Sequence, residues 1–149
     1  MTIFQALLVS HETQRELSAR LQESQPIEER QRVFEELKRE LAAHETAEER
    51  FFYVPLMQYD EGMDLSRHAI AEHHEMDEMV ETLEKTDPHA AEWQECMRKL
   101  VHKIEHHLKE EEDKFFPQAG EVLSEEEKQQ LGTGYLAEFE QLRAKEEAL

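Results

Sequence analysis

Two stretches of the chain set imidazole and carboxylate at one fixed spacing. His44-Glu45-Thr46-Ala47-Glu48-Glu49-Arg50-Phe51-Phe52 and His107-Leu108-Lys109-Glu110-Glu111-Glu112-Asp113-Lys114-Phe115 both read H-x-x-x-E-E-x-x-F, and a proline follows each, Pro55 and Pro117. Residues four apart on a helix share a face, one turn from each other. An imidazole and a carboxylate so placed reach a common point. Together they suit iron, manganese or zinc. The chain carries no nucleophile–base pair, phosphate loop or substrate-shaped motif beside them, so no enzyme class is indicated beyond a metal centre.

The apolar residues decide which of the nine histidines face inward. His44 continues the stripe of Leu37 and Leu41, and Glu48 and Phe52 extend it. His107 continues Leu100 and Ile104, followed by Glu111 and Phe115. The neighbouring pair, His106 and Glu110, shares its face with Lys99, His102, Lys103 and Asp113, and reads as solvated. His73 falls with Ala69, Ile70, Met76 and Val80, whereas His74 has Asp77, Glu78 and Glu81 ahead of it. His11 follows Phe4, Leu7 and Leu8 at helical intervals. One inward His thus comes from each of four segments, and two segments add an inward Glu. His68, His74, His89, His102 and His106 read as surface residues, and so does the acidic run Glu110–Asp113 apart from Glu111. Buried carboxylates are costly and repel each other. Divalent cations between Glu48 and Glu111 would offset both penalties, and two bridging carboxylates with His ligands in a helical bundle describe a dinuclear site.

The elements that must position these groups are helical. With 4 Gly and 4 Pro in 149 residues, long helices are favoured, and no strand-like alternation appears. A first helix runs from Thr2, with Gln5 at capping-box spacing, to about Ser24. A second begins at Pro26 and is kinked or ended by Pro55 near Met57–Tyr59, with Gly62 marking the turn. A third starts near Asp64 or Ser66. Asp87-Pro88 stops it and opens the fourth, which Pro117 and Gly120 end. A second capping box, Ser124 with Glu127, opens a fifth helix with a weaker stripe (Leu131, Tyr135, Phe139, Leu142) interrupted by Gly132 and Gly134. The expected fold is all-α: an up-down-up-down four-helix bundle over residues 1–120, with residues 121–149 as a C-terminal helical appendage. The repeated motif gives the second and fourth helices equivalent roles about a pseudo-twofold axis.

Composition limits the partners. Seventeen Lys+Arg against 36 Asp+Glu leave a formal charge of −19, which repels nucleic acid and anionic membrane surfaces. No apolar run approaches the length of a membrane span, and the first residues lack a signal-type stretch. A cytoplasmic protein, monomer or homodimer, is the expectation. The lone Cys96 excludes an internal disulfide and a Cys-rich zinc site.

His11, then His44-x3-Glu48, then Glu72-His73, then His107-x3-Glu111, with Phe-Tyr-Val-Pro (52–55) and Phe-Phe-Pro (115–117), resembles the hemerythrin-like, or HHE cation-binding, family. The resemblance covers about residues 1–120. It implies an up-down four-helix bundle with two non-haem iron ions, oxo- or hydroxo-bridged, used in oxygen binding, sensing, or iron and redox handling. It also implies His11, His44, His73 and His107 as terminal ligands and Glu48 and Glu111 as bridges. Two departures from the oxygen carriers matter. Ala69 stands where they have a second His on the third helix, and His68 is about 100° round the helix from it. The fourth helix has Glu at spacing four, where they have Asp at spacing five. Both point to the bacterial-type branch, and without that His roughly two of about twelve iron positions remain open, one of which Glu45, Asp77 or water could fill. Such a site suits sensing, redox reaction or metal handling better than oxygen storage. Metal storage, donation or sensing without oxygen chemistry uses the same ligands, and a helical interaction module with a vestigial site is the third reading.

Overall fold

A computed structural model describes residues 1–23 and 25–148, with side chains through residue 145. The expected end of the first helix at Ser24 lies outside the described residues. Helix α1 spans Ile3–Gln22, α2 Ile27–Glu48, α3 Val54–Leu56, α4 Asp60–Lys85, α5 Ala91–Glu110, α6 Phe116–Val122 and α7 Glu125–Ala148. Wide turns with five-residue hydrogen bonding, Glu49–Tyr53 and Glu111–Phe115, join α2 to α3 and α5 to α6 into two continuous rods. No strand occurs among the described residues.

The caps follow the local sequence. Thr2 Oγ1 accepts from Gln5 N–H while Gln5 Oε1 accepts from Thr2 N–H, so two otherwise orphaned amides are satisfied at the start of α1. Ser124 and Glu127 do the same ahead of α7.

Several expected boundaries move. Pro117 and Gly120 do not end the fourth rod, which continues to Val122. A proline has no N–H to give and its ring crowds the carbonyl four residues back. Here the residue just before each proline bonds five back instead: Val54 N–H to Glu49 O, and Phe116 N–H to Glu111 O. Each widened turn is therefore in register with its proline, which then sits in the first turn of α3 or α6. Helix α4 starts at Asp60, ahead of Asp64, and takes Gly62 into its first turn. A Cβ on Gly62 would overlap the Leu56 carbonyl, so the glycine permits a close approach rather than marking the turn. Helix α5 starts at Ala91; Asp87 caps only His89 N–H in the preceding turn. Gly132 and Gly134, which interrupt the apolar stripe, lie within the continuous helix α7. A Cβ on Gly132 would overlap the Met1 carbonyl and one on Gly134 would overlap the Phe51 ring, so both let α7 lie close against the bundle.

Helix α1 packs on α2, α5 and α7, and α4 packs on α5 and on the turn and helix that continue α2. The first four rods form the bundle, and α7 lies along α1 and α2. The core divides into two apolar layers. One holds Leu17, Leu21, Val33, Phe34, Leu37, Leu41, Met76, Leu83, Trp93, Leu100 and Ile104. The other holds Ile3, Leu7, Phe52, Tyr53, Leu56, Leu65, Ala69, Phe115, Ala119 and Tyr135. Along α1 the second layer precedes His11 and the first follows it. Along α2 the order reverses around His44 and Glu48, as alternating helix directions require. The six inward polar residues therefore lie at one level, between two dry layers. No helix among the described residues is long and apolar enough to cross a membrane.

Candidate metal centre

Helix α1 supplies His11, α2 supplies His44 and Glu48, α4 supplies His73, and α5 with its following turn supplies His107 and Glu111. All six are buried, none more than 2% exposed. The structure brings together all six residues expected from the sequence. Their donor atoms form two compact sets, His11–His44–Glu48–Glu111 and Glu48–His73–His107–Glu111, each with all donors within 4.8 Å of one another. The sets share the two carboxylates. Glu111 turns one oxygen to each set: Oε1 lies 2.8 Å from His11 Nε2 and Oε2 3.3 Å from His107 Nε2. Glu48 Oε1 lies 3.4 Å from His44 Nε2 and 3.1 Å from His73 Nε2. Each carboxylate thus faces the imidazole one turn back on its own helix and one from another helix.

The polar atoms at this level lack partners of the ordinary kind. Nε2 of His11, His44, His73 and His107, both oxygens of Glu48 and Oε1 of Glu111 are buried with no hydrogen bond. Buried polar atoms are almost always paired, and an unpaired buried carboxylate costs several kcal/mol. Atoms orphaned together and converging on two points fit a pair of metal ions.

The outer nitrogen of every inward imidazole is held. His11 Nδ1 is 2.6 Å from Glu112 Oε2, His73 Nδ1 2.8 Å from Glu49 Oε2, His107 Nδ1 2.8 Å from Glu72 Oε1, and His44 Nδ1 2.8 Å from Tyr135 Oη. A carboxylate at Nδ1 fixes the tautomer that leaves Nε2 free as a ligand and raises its basicity. The second Glu of each H-x-x-x-E-E motif does this for a neighbouring helix: Glu49 for α4, Glu112 for α1. The acidic run at residues 110–113 is therefore not all surface. Glu112 also takes both terminal guanidinium nitrogens of Arg15 at 3.0 Å, and Glu110 pairs with His68.

The fourth outer partner breaks the pseudo-twofold pattern. Glu72 precedes His73 on α4, whereas the residue preceding His11 on α1 is Ser10, whose hydroxyl donates to Glu40 at 2.7 Å. No carboxylate comes from α1 to hold His44. Tyr135, 1% exposed on α7, takes that place. By helical phase alone, Tyr135 is one more residue of the α7 stripe. Its signal was only that a buried tyrosine needs a partner for its hydroxyl.

Charge placement sets the protonation of the metal-free site. Burial pushes His11 and His107 down, but the adjacent carboxylates outweigh it and raise both to about 9. Burial pushes Glu112 up, but His11 and Arg15 bring it down to about 2. Glu72 is likewise brought to about 2 by His107 and Lys103 against its burial. Burial, then Glu111 and Glu48, hold the Tyr53 phenol well above its usual range, and Tyr53 donates to Glu111 Oε2.

Of the residues considered for open coordination positions, Glu45 turns to Asp77, and burial with that neighbour pushes it well above the usual carboxylate range. His68 is 53% exposed and faces Glu110 and Glu72. Ala69 is fully buried among the apolar residues of the second layer. His74, His89, His102 and His106 are exposed, as expected.

A four-helix bundle with two His/Glu donor sets sharing two buried carboxylates belongs to the class of metal-binding bundles. Comparison with known proteins places it within that class. The family described as Hemerythrin HHE cation binding domain matches residues 2–119, and the chain belongs to that family. A solved structure similar to this one is that of a hemerythrin HHE cation-binding domain-containing protein from Mycobacterium kansasii. It is 26% identical with a TM-score of 0.86, covering 97% of this chain and 89% of that one. A curated relative, a DNA nickase from Nostoc sp., is 27% identical over 137 residues. That match takes in 92% of this chain but spans 39% of the nickase.

Proposed function

We propose that His11, His44, His73, His107, Glu48 and Glu111 hold two non-haem iron ions. The chain uses this centre to bind or sense oxygen or a related small oxidant, or to handle iron under redox stress. The observation that carries the reading is the pair of four-donor sets sharing Glu48 and Glu111. When bound, two adjacent iron ions supply one-electron redox chemistry and positions for a small ligand. Zinc or manganese suits the same donors.

The protein's part is positioning. Glu112, Tyr135, Glu49 and Glu72 orient the four imidazoles from behind. Tyr53 orients Glu111. Phe116 stacks on the His11 ring at 5.7 Å, and the apolar layers on either side exclude bulk water, which strengthens every charge interaction inside. Nucleic acid is a poor partner for a chain of charge −19, so the nickase likeness is read as a shared domain rather than a shared substrate.

The test is anaerobic loading with Fe(II) followed by air. Near-ultraviolet charge-transfer absorption should appear in the wild type and be lost in His44→Ala and Glu111→Ala. Bound iron with no spectral response, released readily to a chelator, would favour metal storage or donation. Unchanged behaviour of both variants would favour a vestigial site.

A further inference from the structure

A second group of donors lies outside the buried centre, on the seam between α4 and α5. His68 Nε2 is 2.9 Å from Glu110 Oε1 and 3.5 Å from Glu72 Oε1. The three residues present donor atoms that all lie within 4.8 Å of one another. Lys103 is the cation already close by. It sits 3.2 Å from Glu72 Oε2 and 2.7 Å from a Glu75 oxygen, so it engages the oxygen of Glu72 that faces away from His68. Glu110 Oε1 shares the mark of the central atoms: it is buried and has no hydrogen-bond partner, although His68 Nε2 is near. Unlike the centre, this group opens to solvent, because His68 is 53% exposed while Glu72 and Glu110 are 5% and 17% exposed. Glu72 Oε1 also contacts His107 Nδ1 at 2.8 Å, and His107 Nε2 faces Glu111, so a single imidazole lies between the group and the centre.

We propose that His68, Glu72 and Glu110 form a separate, solvent-reached site for a divalent transition-metal ion, which loads the buried centre. One imidazole and two carboxylates suit Zn²⁺, Fe²⁺ or Mn²⁺, and an incomplete, open donor set binds more weakly than a closed one. The acidic surface concentrates cations near it. The loading role rests on the dinuclear reading of the centre; the site itself does not.

The test uses the full chain, Zn²⁺ as the probe, and the variants His68→Ala and Glu110→Gln. Both positions reach the surface, and circular dichroism checks that both variants fold. Crystals grown in excess Zn²⁺ should show an anomalous peak between His68 and Glu110 in the wild type. Equilibrium dialysis should count one ion more per chain in the wild type than in either variant. The variants should keep the central ions and load them several-fold more slowly from dilute Zn²⁺. Equal counts with no peak at that position would overturn the site. A peak with unchanged loading rates would overturn the loading role. Failure of the central reading looks different: no ions at His11, His44, His73 and His107, with the outer peak retained.

Discussion

At the scale of single residues, the proposed ligands are held from behind. Tyr135 is the informative case, because it replaces a carboxylate that α1 does not supply. Tyr135→Phe keeps the ring in the apolar layer and removes only the hydroxyl at His44 Nδ1. The chain should fold, and the ion of the His11–His44 set should bind about 10–100-fold more weakly. Chelator competition checks this; equal affinity would show that the hydroxyl does not position His44. Protonation gives a second prediction. In the metal-free chain His11 and His107 are raised from 6.5 to about 9. A raised imidazole contributes stability that is fully present below pH 6.5 and lost as the pH rises through about 9. A bound metal takes the proton's place. Melting of the metal-free chain should therefore fall between pH 6.5 and 9.5, while the loaded chain stays level. Parallel profiles would contradict the assignment.

At the scale of elements, two devices position the proposed ligands: proline-registered wide turns, and a fifth helix docked through glycines. The turns differ in register by one residue relative to the H-x-x-x-E-E motif, because Pro55 follows Glu48 by seven residues and Pro117 follows Glu111 by six. Docking of α7 depends on Gly132, where a side chain would strike the Met1 carbonyl. Gly132→Val should destabilise the chain by about 1–3 kcal/mol, as overpacking does, and should also weaken metal binding by pulling Tyr135 from His44. Denaturant unfolding and chelator competition on the same variant test the link; lost stability with unchanged affinity would break it. Much of this was legible in the sequence, for stated reasons. Helical phase against Leu37, Leu41, Leu100 and Ile104 separates His44 and His107 from their solvated neighbours, because one face of each helix must be dry. The repeat displayed Glu49 and Glu112 as plainly as Glu48 and Glu111. Their role stayed hidden because each acts on a different helix, and phase within one helix does not show that. Tyr135 was hidden for the same reason, across 91 residues of chain. Pro117 does not stop its helix because the turn before it widens and takes the hydrogen bond one residue further back.

At the scale of the whole molecule, a polar level divides the core into two apolar layers. Leu37 is fully buried in the layer away from α7, and Leu37→Ala should cost about 2–5 kcal/mol with or without metal. The polar level behaves in the opposite way. Its carboxylates depend on cations or protons for their burial, so metal should raise the melting temperature. The charge of −19 draws cations toward the chain, while two of its carboxylates, Glu48 and Glu111, have no exposed surface at all. Counting iron tests this account most directly. The chain is loaded anaerobically with Fe(II), loosely held metal is removed, and iron per chain is measured for the wild type and for Glu48→Ala/Glu111→Ala. The account predicts about two irons per chain in the wild type and loss of both in the double variant. Fewer than about 0.2 irons per chain with melting unchanged by metal, or a double variant that keeps both ions, would contradict it.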